Sequence, residues 1–344
     1  TDIYEYGFVN SLSDTITFYI GAEVADPDVS SSTVNENTGD PFTSFLNVGW
    51  DGDNDYYIGL VAEDSFGNTI GKLINARYPY LTVSGNGQVK YDSTGDLNIY
   101  ANYINMSDLY KISGPGTVTR IDNSNGTFNP DGTNTGETVV EAKDVQSHTT
   151  PRIRIYSYND INIQPLYEND GMVAKDMKVS GLYISDTISS IIALGDYVAA
   201  DDFNCRALMR FYIPTTVSSN ILYTEFDMTC HSYTGKPYDS DSIDLALLGK
   251  DQIDYSAKGI DPLDYNIFGS KPTIPVPKFV NVDEVTKIKS SDYPNLITYI
   301  NNCNGAYADF GVLFNKEGAN YGLALYSTEA AAGKYRPNVY IRWY

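Results

Sequence analysis

The chain has 344 residues, and its 44 Asp and Glu against 23 Lys and Arg give a net charge of −21. This charge argues against a nucleic-acid partner or adsorption to an anionic membrane, because both require clustered cations. With 42% hydrophobic residues and no long apolar run, the composition is typical of a folded chain that does not insert into a membrane.

The first segment, 1–13, predicts a strand or an arm. Its apolar side chains are Ile3, Tyr4, Tyr6 and Phe8. An extended arm of this kind can add a strand to the sheet of a neighbouring copy, which would make the chain a subunit of a polymer. An ordinary first strand of its own domain explains the segment equally well. Any signal segment is expected to have been removed, and the expected location is extracellular or the cell surface.

Alternation with a period of two dominates the chain from residue 14 onward. β-Forming residues alternate at 15–20, 80–83, 97–103, 152–158, 207–213, 311–314 and 339–344, with clusters of Gly, Asn, Asp, Ser and Pro between them. Strands separated by turn residues predict an all-β fold. Helix is predicted only at 283–300, broken by Pro294, and as a short turn near 329–332.

An internal echo predicts two domains. An alternating strand that ends in aromatics follows Thr150-Pro151, and a similar strand follows Arg336-Pro337 and closes the chain. If each strand closes a domain, the chain holds two tandem jelly-roll-like antiparallel β-sandwiches, at 14–158 and 181–344. The mixed, turn-rich segment 159–180 is then a linker or a crossover strand.

Two acidic turns are candidate calcium sites, because carboxylates at alternate positions of a turn are typical ligands of hard cations. They are formed by Asp51, Asp53 and Asp55 in the first half and by Asp239, Asp241 and Asp244 in the second. The first is not an EF-hand, since Tyr56 stands where the loop requires Gly. A hydrated turn without metal is the alternative for each.

The 30 tyrosines have three interpretations: packing on strands, subunit interfaces, or platforms that stack on sugar rings. Trp50, Tyr56 and Tyr57 flank the first acidic turn and form the predicted exposed aromatic cluster.

Two further features concern covalent modification. Cys205 and Cys230 would lie nearly opposite each other if 206–213 and 221–230 form a hairpin. A cross-strand disulfide is one outcome, and two buried thiols are the other. Asn105 and Asn125 begin N-glycosylation sequences, and Asn125 is predicted to be the more accessible, since its surroundings are rich in turn residues.

The order of elements in the second half resembles the DNRLRE-type domain, a jelly-roll-like β-sandwich related to one family of carbohydrate-binding modules. The matching residues are Arg210-Phe211, Val285-Thr286, Gly311-Val312-Leu313, Ser327-Thr328-Glu329 and Arg336-Pro337. The first half matches more weakly and has Thr150-Pro151 in place of Arg-Pro. The resemblance implies a secreted or cell-surface protein and carbohydrate binding.

Catalysis is not predicted. The two histidines, His148 and His231, lie in no recognisable motif, and no nucleophile elbow is present. Two functions remain: a structural subunit of an extracellular filament, sheath or surface layer, and a secreted tandem carbohydrate-binding protein. A viral fibre or receptor-binding protein is a further variant. The expected partners are other copies of the chain or a polysaccharide.

Overall fold

The computed structural model describes the strands at 13–22, 56–64 and 69–76, and then residues 79–344 apart from short gaps. The gaps are 146–148, 151, 166–169, 177, 179, 181, 188, 196–202, 235–242, 257–258, 270, 277–280 and 315–321. The chain divides into two compact units, Thr1–Ser157 and Tyr158–Tyr344.

The first unit contains three groups of strands. In chain order the strands are β1 Ser13–Ala22, β2 Tyr56–Asp64, β3 Thr69–Ala76, β4 Tyr80–Val83, β5 Gln88–Lys90, β6 Leu97–Asn102, β7 Met106–Ser113, β8 Thr117–Arg120, β9 Asn125–Asn129, β10 Gly136–Asp144 and the beginning of β11 Ile153–Ile163. An antiparallel sheet has the order β1-β2-β3, and a second has the order β4-β6-β9-β8. The third group places β10 between β7 and β11, with β5 also paired to β11.

A small β-sandwich forms between the second and third of these groups. In β6, buried Leu97 and Ile99 alternate with exposed Asn98 and Tyr100, which is the period that a half-buried strand requires. The buried residues of both layers form one apolar cluster: Leu81, Val89, Leu97, Ile99, Met106, Leu109, Phe128, Val140, Ala142 and Ile155. A Cβ on Gly126 would lie 2.2 Å from Leu109 Cδ2, so β9 needs glycine there for the layers to approach.

The second unit begins with the remainder of β11. Its further elements are β12 Asp170–Asp176, β13 Tyr183–Asp186, β14 Ile191–Gly195, β15 Phe203–Tyr212, β16 Ile221–Thr234, β17 Ile243–Lys250, β18 Tyr255–Ser256, β19 Gly259–Ile260, β20 Thr273–Pro275, β21 Val285–Lys289, α1 Asn295–Asn302, β22 Tyr307–Phe314, β23 Gly322–Tyr326 and β24 Asn338–Trp343. The predicted all-β class with little helix is confirmed. No helix in the described ranges is long and apolar enough to cross a membrane.

Two curled antiparallel layers enclose the core of the second unit. One contains β13-β12-β15-β22-β17-β20, and the other contains β14-β23-β16-β24-β11, with β21 also paired to β16. The two layers are continuous in strand order, because β14 pairs with β15 at Gly195 and Cys205. Phe211 and Phe310 from the first layer meet Phe226 from the second, with ring centroids 4.8 to 5.7 Å apart. All three rings are completely buried, so they mark the centre of this sandwich.

The structure differs from the sequence prediction in its helices and extends the second unit into 159–180. The helix predicted at 283–300 is wrong in its first part, because Val285–Lys289 is a strand whose Thr286 and Ile288 are buried at a period of two. Helix begins only after Pro294. The short turn near 329–332 leads into one turn of 3-10 helix at Gly333–Tyr335. The segment 159–180 supplies the end of β11 and all of β12 to the second unit.

The disulfide between Cys205 and Cys230 is not formed. β15 and β16 are not hairpin partners, because β14 and β23 lie between them in the strand order. Both cysteines are buried thiols outside any disulfide, and they belong to different apolar clusters. Burial raises the pKa of the Cys230 thiol to about 11, so it stays in its unreactive form at neutral pH.

A buried ion pair joins the middle strands of the first layer. Arg210 on β15 and Asp309 on β22 are cross-strand neighbours, and two bonds of 2.7 Å connect the guanidinium to both carboxylate oxygens. Asp309 also accepts from the backbone N–H of Ile253 at 2.7 Å, and Arg210 donates to the carbonyl of Ile253 at 2.5 Å. The pair therefore fastens the segment after β17 to the outer side of the sheet.

We expect Arg210→Ala to lower the free energy of unfolding of the second unit by about 3–5 kcal/mol, because it leaves the fully buried Asp309 without its counter-charge. Urea denaturation measures this loss. The control is Arg154→Ala, which removes a mostly exposed Arg paired with Glu137 and should leave the free energy of unfolding nearly unchanged. Equal losses in the two variants would contradict the assignment.

A second buried carboxyl lies at the start of β12. Asp170 is completely buried, and its oxygens accept from the backbone N–H of Thr328 at 2.9 Å and from the Thr328 hydroxyl at 2.5 Å. Burial raises the pKa of Asp170 to about 7, although both hydrogen bonds oppose the rise.

Because folded Asp170 keeps its proton up to about pH 7 while the unfolded chain releases it near pH 4, the folded state binds more protons between these values. Its contribution to stability is complete below about pH 4 and is lost as the pH rises to about 7, by on the order of 4 kcal/mol. We expect Asp170→Asn, which resembles the protonated acid, to lose this dependence. Urea denaturation of both proteins at several pH values gives the difference, and parallel stability curves would rule the effect out.

Candidate functional site

The outer face of the sheet β4-β6-β9-β8 carries an unusual set of side chains. Every residue of these four strands that faces away from the sandwich core is Tyr, Asn or Thr. We call this surface the tyrosine–asparagine face, and its residues are Tyr80, Thr82, Asn98, Tyr100, Asn102, Thr117, Thr119, Asn125, Thr127 and Asn129.

The strand register places these side chains side by side. Thr82 lies opposite Tyr100, and Tyr100 lies opposite Asn125 on the other neighbouring strand. Asn98, Thr127 and Thr119 form the next row across β6, β9 and β8. Directly opposed residues have Cβ atoms about 5 Å apart, so the rows form one continuous polar surface.

Asparagine is the informative residue type, because it is depleted in strands. Four asparagines nevertheless occupy outward positions of β6 and β9. An outward strand position that needs only solubility and sheet propensity is better served by Thr, which the neighbouring positions contain. Sheet propensity therefore does not explain Asn98 in β6, whereas Asn102 and Asn125 bond to neighbouring side chains.

The tyrosines of this sheet are accessible. Tyr80 is 38% exposed and Tyr100 is 43% exposed. Tyr103, which follows β6 with a positive φ of 57°, adds a third exposed ring beside Tyr80, with centroids 5.9 Å apart and planes inclined by 59°. Rings of this kind offer an apolar surface with a hydrogen-bonding hydroxyl at the rim.

Local hydrogen bonds hold several amides in place. Asn102 Nδ2 donates to Thr82 Oγ1 at 3.3 Å, across β4 and β6. At the beginning of β9, Asn125 Nδ2 donates to both carboxylate oxygens of Asp122, at 3.0 and 2.9 Å. Asp122 also accepts from backbone N–H groups of the turn. The bond from the Asn125 side chain, together with these backbone bonds, lowers the pKa of the Asp122 carboxyl. The margin of the face is thus fixed by a turn in which Asp122 accepts several hydrogen bonds.

A second polar cluster lies on the outer side of β16, β21 and β24 in the second unit. Glu225 accepts from the Tyr223 hydroxyl at 2.5 Å and from Lys287 Nζ, and Lys287 also reaches Asp227 at 3.4 Å. Arg342 lies over the ring of Tyr158, 4.2 Å from its centroid. These side chains bind mainly to one another.

The two carboxyls of this second cluster behave differently. Burial raises the pKa of Asp227 to about 6, and the charge of Glu225 adds to the rise. Burial also disfavours ionisation of Glu225, but its bonds from Lys287 and Tyr223 outweigh burial and lower its pKa. Both residues are only 8% exposed, so the cluster joins strands and offers little surface to a ligand.

Several predicted site residues lie outside the described residues. They are Ile3, Tyr4, Tyr6, Phe8, Trp50, Asp51, Asp53, Asp55, Asp239 and Asp241. Tyr56 and Tyr57 begin β2, and only their backbone is described. Asp244 lies in strand β17, not in a turn, and burial raises its pKa. Within the described ranges no group of three His, Cys, Asp or Glu could hold a metal ion, and calcium stays a prediction.

The order of accessibility predicted for the two glycosylation sequences is wrong. Asn105 is exposed, whereas Asn125 is half-buried and bound to Asp122. The turn residues around Asn125 do form a turn, but within that turn the side-chain amide of Asn125 is bonded to Asp122.

The sequence alone did not predict the tyrosine–asparagine face, although its strands carry a signal. Within 97–102 and 125–129 the polar member of each alternating pair is Asn, Thr or Tyr and never a charged residue. Strand order was the missing information, since it brings the four strands together.

Comparison with known proteins gives neither a matching family model nor a matching curated protein, so the DNRLRE-type resemblance stays a prediction. Among solved structures, the chain is similar to a crystal structure with a xylogluco-oligosaccharide (12% identity, TM-score 0.23, covering 95% of this chain and 72% of the other). It is also similar to a structure of carbohydrate-binding modules from the β-sandwich superfamily (11%, TM-score 0.27, 77% and 96%). A third is SGBP-B of the Bacteroides ovatus mixed-linkage glucan utilization locus with a mixed-linkage heptasaccharide (12%, TM-score 0.17, 96% and 89%). Similarity this low carries no functional argument.

If the asparagines of the face do not serve the sheet, replacing one with Thr should not harm folding. We expect Asn98→Thr to leave the free energy of unfolding of the first unit unchanged or to raise it by up to about 1 kcal/mol. The reverse change on the same face, Thr117→Asn, should lower it by a comparable amount. Urea denaturation compares the two, and a clear loss of stability in Asn98→Thr would show that the amide is structural.

Proposed function

We propose that the first unit binds carbohydrate on the tyrosine–asparagine face and that the chain is a non-enzymatic glycan-binding protein. The observation that supports this most strongly is the composition of the face, which combines accessible tyrosine rings with asparagine and threonine and excludes the residue types of an ordinary solvated sheet.

The chemistry of each residue type matches a sugar. A pyranose ring presents C–H groups on its faces and hydroxyls at its edge, and tyrosine offers a flat apolar surface with a polar rim. The amide of asparagine has both donors and an acceptor, and the hydroxyl of threonine has one donor and two acceptor lone pairs. Each sugar hydroxyl is likewise donor and acceptor, so these side chains can pair with it in either direction.

The shape of the site favours a chain over a small molecule. The face is an open sheet surface, and pockets that bind small ligands bury most of the ligand. Four strands spaced about 4.8 Å apart span roughly 14 Å, so a linear oligosaccharide can lie across several rows of side chains. Tyr80, Tyr100 and Tyr103 are placed toward one end of β4 and β6, where a sugar ring would stack.

The structural role in a filament or sheath rests on other residues. The arm formed by Ile3, Tyr4, Tyr6 and Phe8 lies outside the described residues. Self-association by strand addition therefore stays a prediction, to be checked by electron microscopy of the native protein.

We expect Tyr100→Ala to weaken glycan binding about five- to thirtyfold, since an exposed aromatic that stacks on a ligand contributes on the order of 1–2 kcal/mol. A panel of polysaccharides in affinity gel electrophoresis identifies a ligand, and calorimetry then compares the variants. Tyr212→Ala is the matched control, because Tyr212 is 41% exposed but belongs to the second unit. The proposal fails if Tyr212→Ala weakens binding as much as Tyr100→Ala, or if Tyr100→Ala binds like the unmodified protein.

A further inference from the structure

We infer that the tyrosine–asparagine face selects neutral glycans in the form of single, soluble chains. The inference rests on the proposed carbohydrate binding and specifies the class of ligand that the same face accepts.

The first argument is the absence of charge. The chain as a whole carries a net charge of −21, yet the outward residues of β4, β6, β8 and β9 in the described structure are all uncharged. A uronate or sulfate group bound there would lose hydration without meeting a cation on the face. The field of the acidic protein would also oppose the approach of an anionic polymer.

The charged residues at the margin strengthen this argument. Arg120 is the last residue of β8 and occupies an inward position in the alternation. Its Nε donates to the carbonyl of Met106 on β7 at 2.9 Å. Its guanidinium also binds the side chain of Asn123. Asp122 carries a lowered pKa and is therefore ionised at neutral pH. The cation at this edge is thus turned toward the opposite layer, and the anion at the same edge would repel an acidic ligand.

The second argument is the inclination of the rings. The planes of Tyr80 and Tyr103 differ by 59°. Two rings with that inclination cannot both lie flat against one planar surface, such as the surface of a crystalline polysaccharide. They can both contact a single chain whose successive sugar rings turn relative to one another, or a chain with a side branch.

The test measures binding of the whole 344-residue chain to three kinds of probe. The neutral soluble probes are galactomannan and hydroxyethyl cellulose, the anionic soluble probes are polygalacturonate and alginate, and the insoluble probe is crystalline cellulose. We expect retardation by at least one neutral soluble probe, an affinity that changes less than about twofold between low and high salt, and no retention by the other probes.

A charge-insertion variant sharpens the test. Thr119 is an exposed residue of the face, and Thr119→Lys places a cation in the row that contains Asn98 and Thr127. We expect this variant to gain weak, salt-sensitive binding to polygalacturonate, whereas Thr216→Lys, an exposed site in the second unit, should not.

The outcomes separate the inference from the proposed function. If the protein binds only an anionic probe or crystalline cellulose, and Tyr100→Ala abolishes that binding, the face binds carbohydrate but the inferred ligand class is wrong. The inference is also wrong if Thr216→Lys gains as much polygalacturonate binding as Thr119→Lys. If no probe binds, or if binding survives Tyr100→Ala unchanged, the proposed function itself is wrong.

Discussion

The structure depends on one constraint, which is that a β-strand sends successive side chains to opposite faces of its sheet. Burying one set of alternate residues stabilises the sheet, so the other set does not have to contribute to the apolar core. In the small sandwich of the first unit, the inward residues of β6 and β9 include Leu97, Ile99 and Phe128, all of which are buried. The outward residues of the same strands can therefore be chosen for their chemistry, as Asn98 and Tyr100 illustrate.

The two units use their outward residues differently. On the second unit, Arg206 and Arg210 project from the outer side of β15 and hold the segment after β17 against the sheet. The guanidinium of Arg206 lies 3.9 Å from the ring centroid of Tyr265. Around β16, the outward Glu225 and Asp227 are committed to Lys287. The corresponding residues of the sheet β4-β6-β9-β8 are neither covered by a segment nor joined by ion pairs in the described structure. A polar surface that no segment covers and that no ion pair crosses suits a hydroxyl-rich ligand, although Asn102 and Asn125 also bond to side chains beside them.

The local sequence pattern predicted the secondary structure for the most part, but it could not predict which strands are neighbours in the sheets. The alternation of β-forming residues predicts the all-β fold, and Pro294 correctly marks a break before the helix. The segment around Val285 was misread because its alternating residues also fit an amphipathic helix over a short stretch. The pairing of Cys205 with Cys230 assumed that consecutive strands are neighbours, whereas two strands from elsewhere in the chain lie between them. The face was missed for the same reason, since β8 is joined to β6 only through β9.

The sequence Asn125-Gly126-Thr127 lies on the tyrosine–asparagine face itself. An oligosaccharide attached to Asn125 would break its bonds to Asp122 and occupy the surface that a ligand needs. Protein made in a host that glycosylates this sequence would therefore carry a covalently attached occupant of its own site. The choice of expression host is part of the design of any ligand screen, because material from a non-glycosylating host presents an open face.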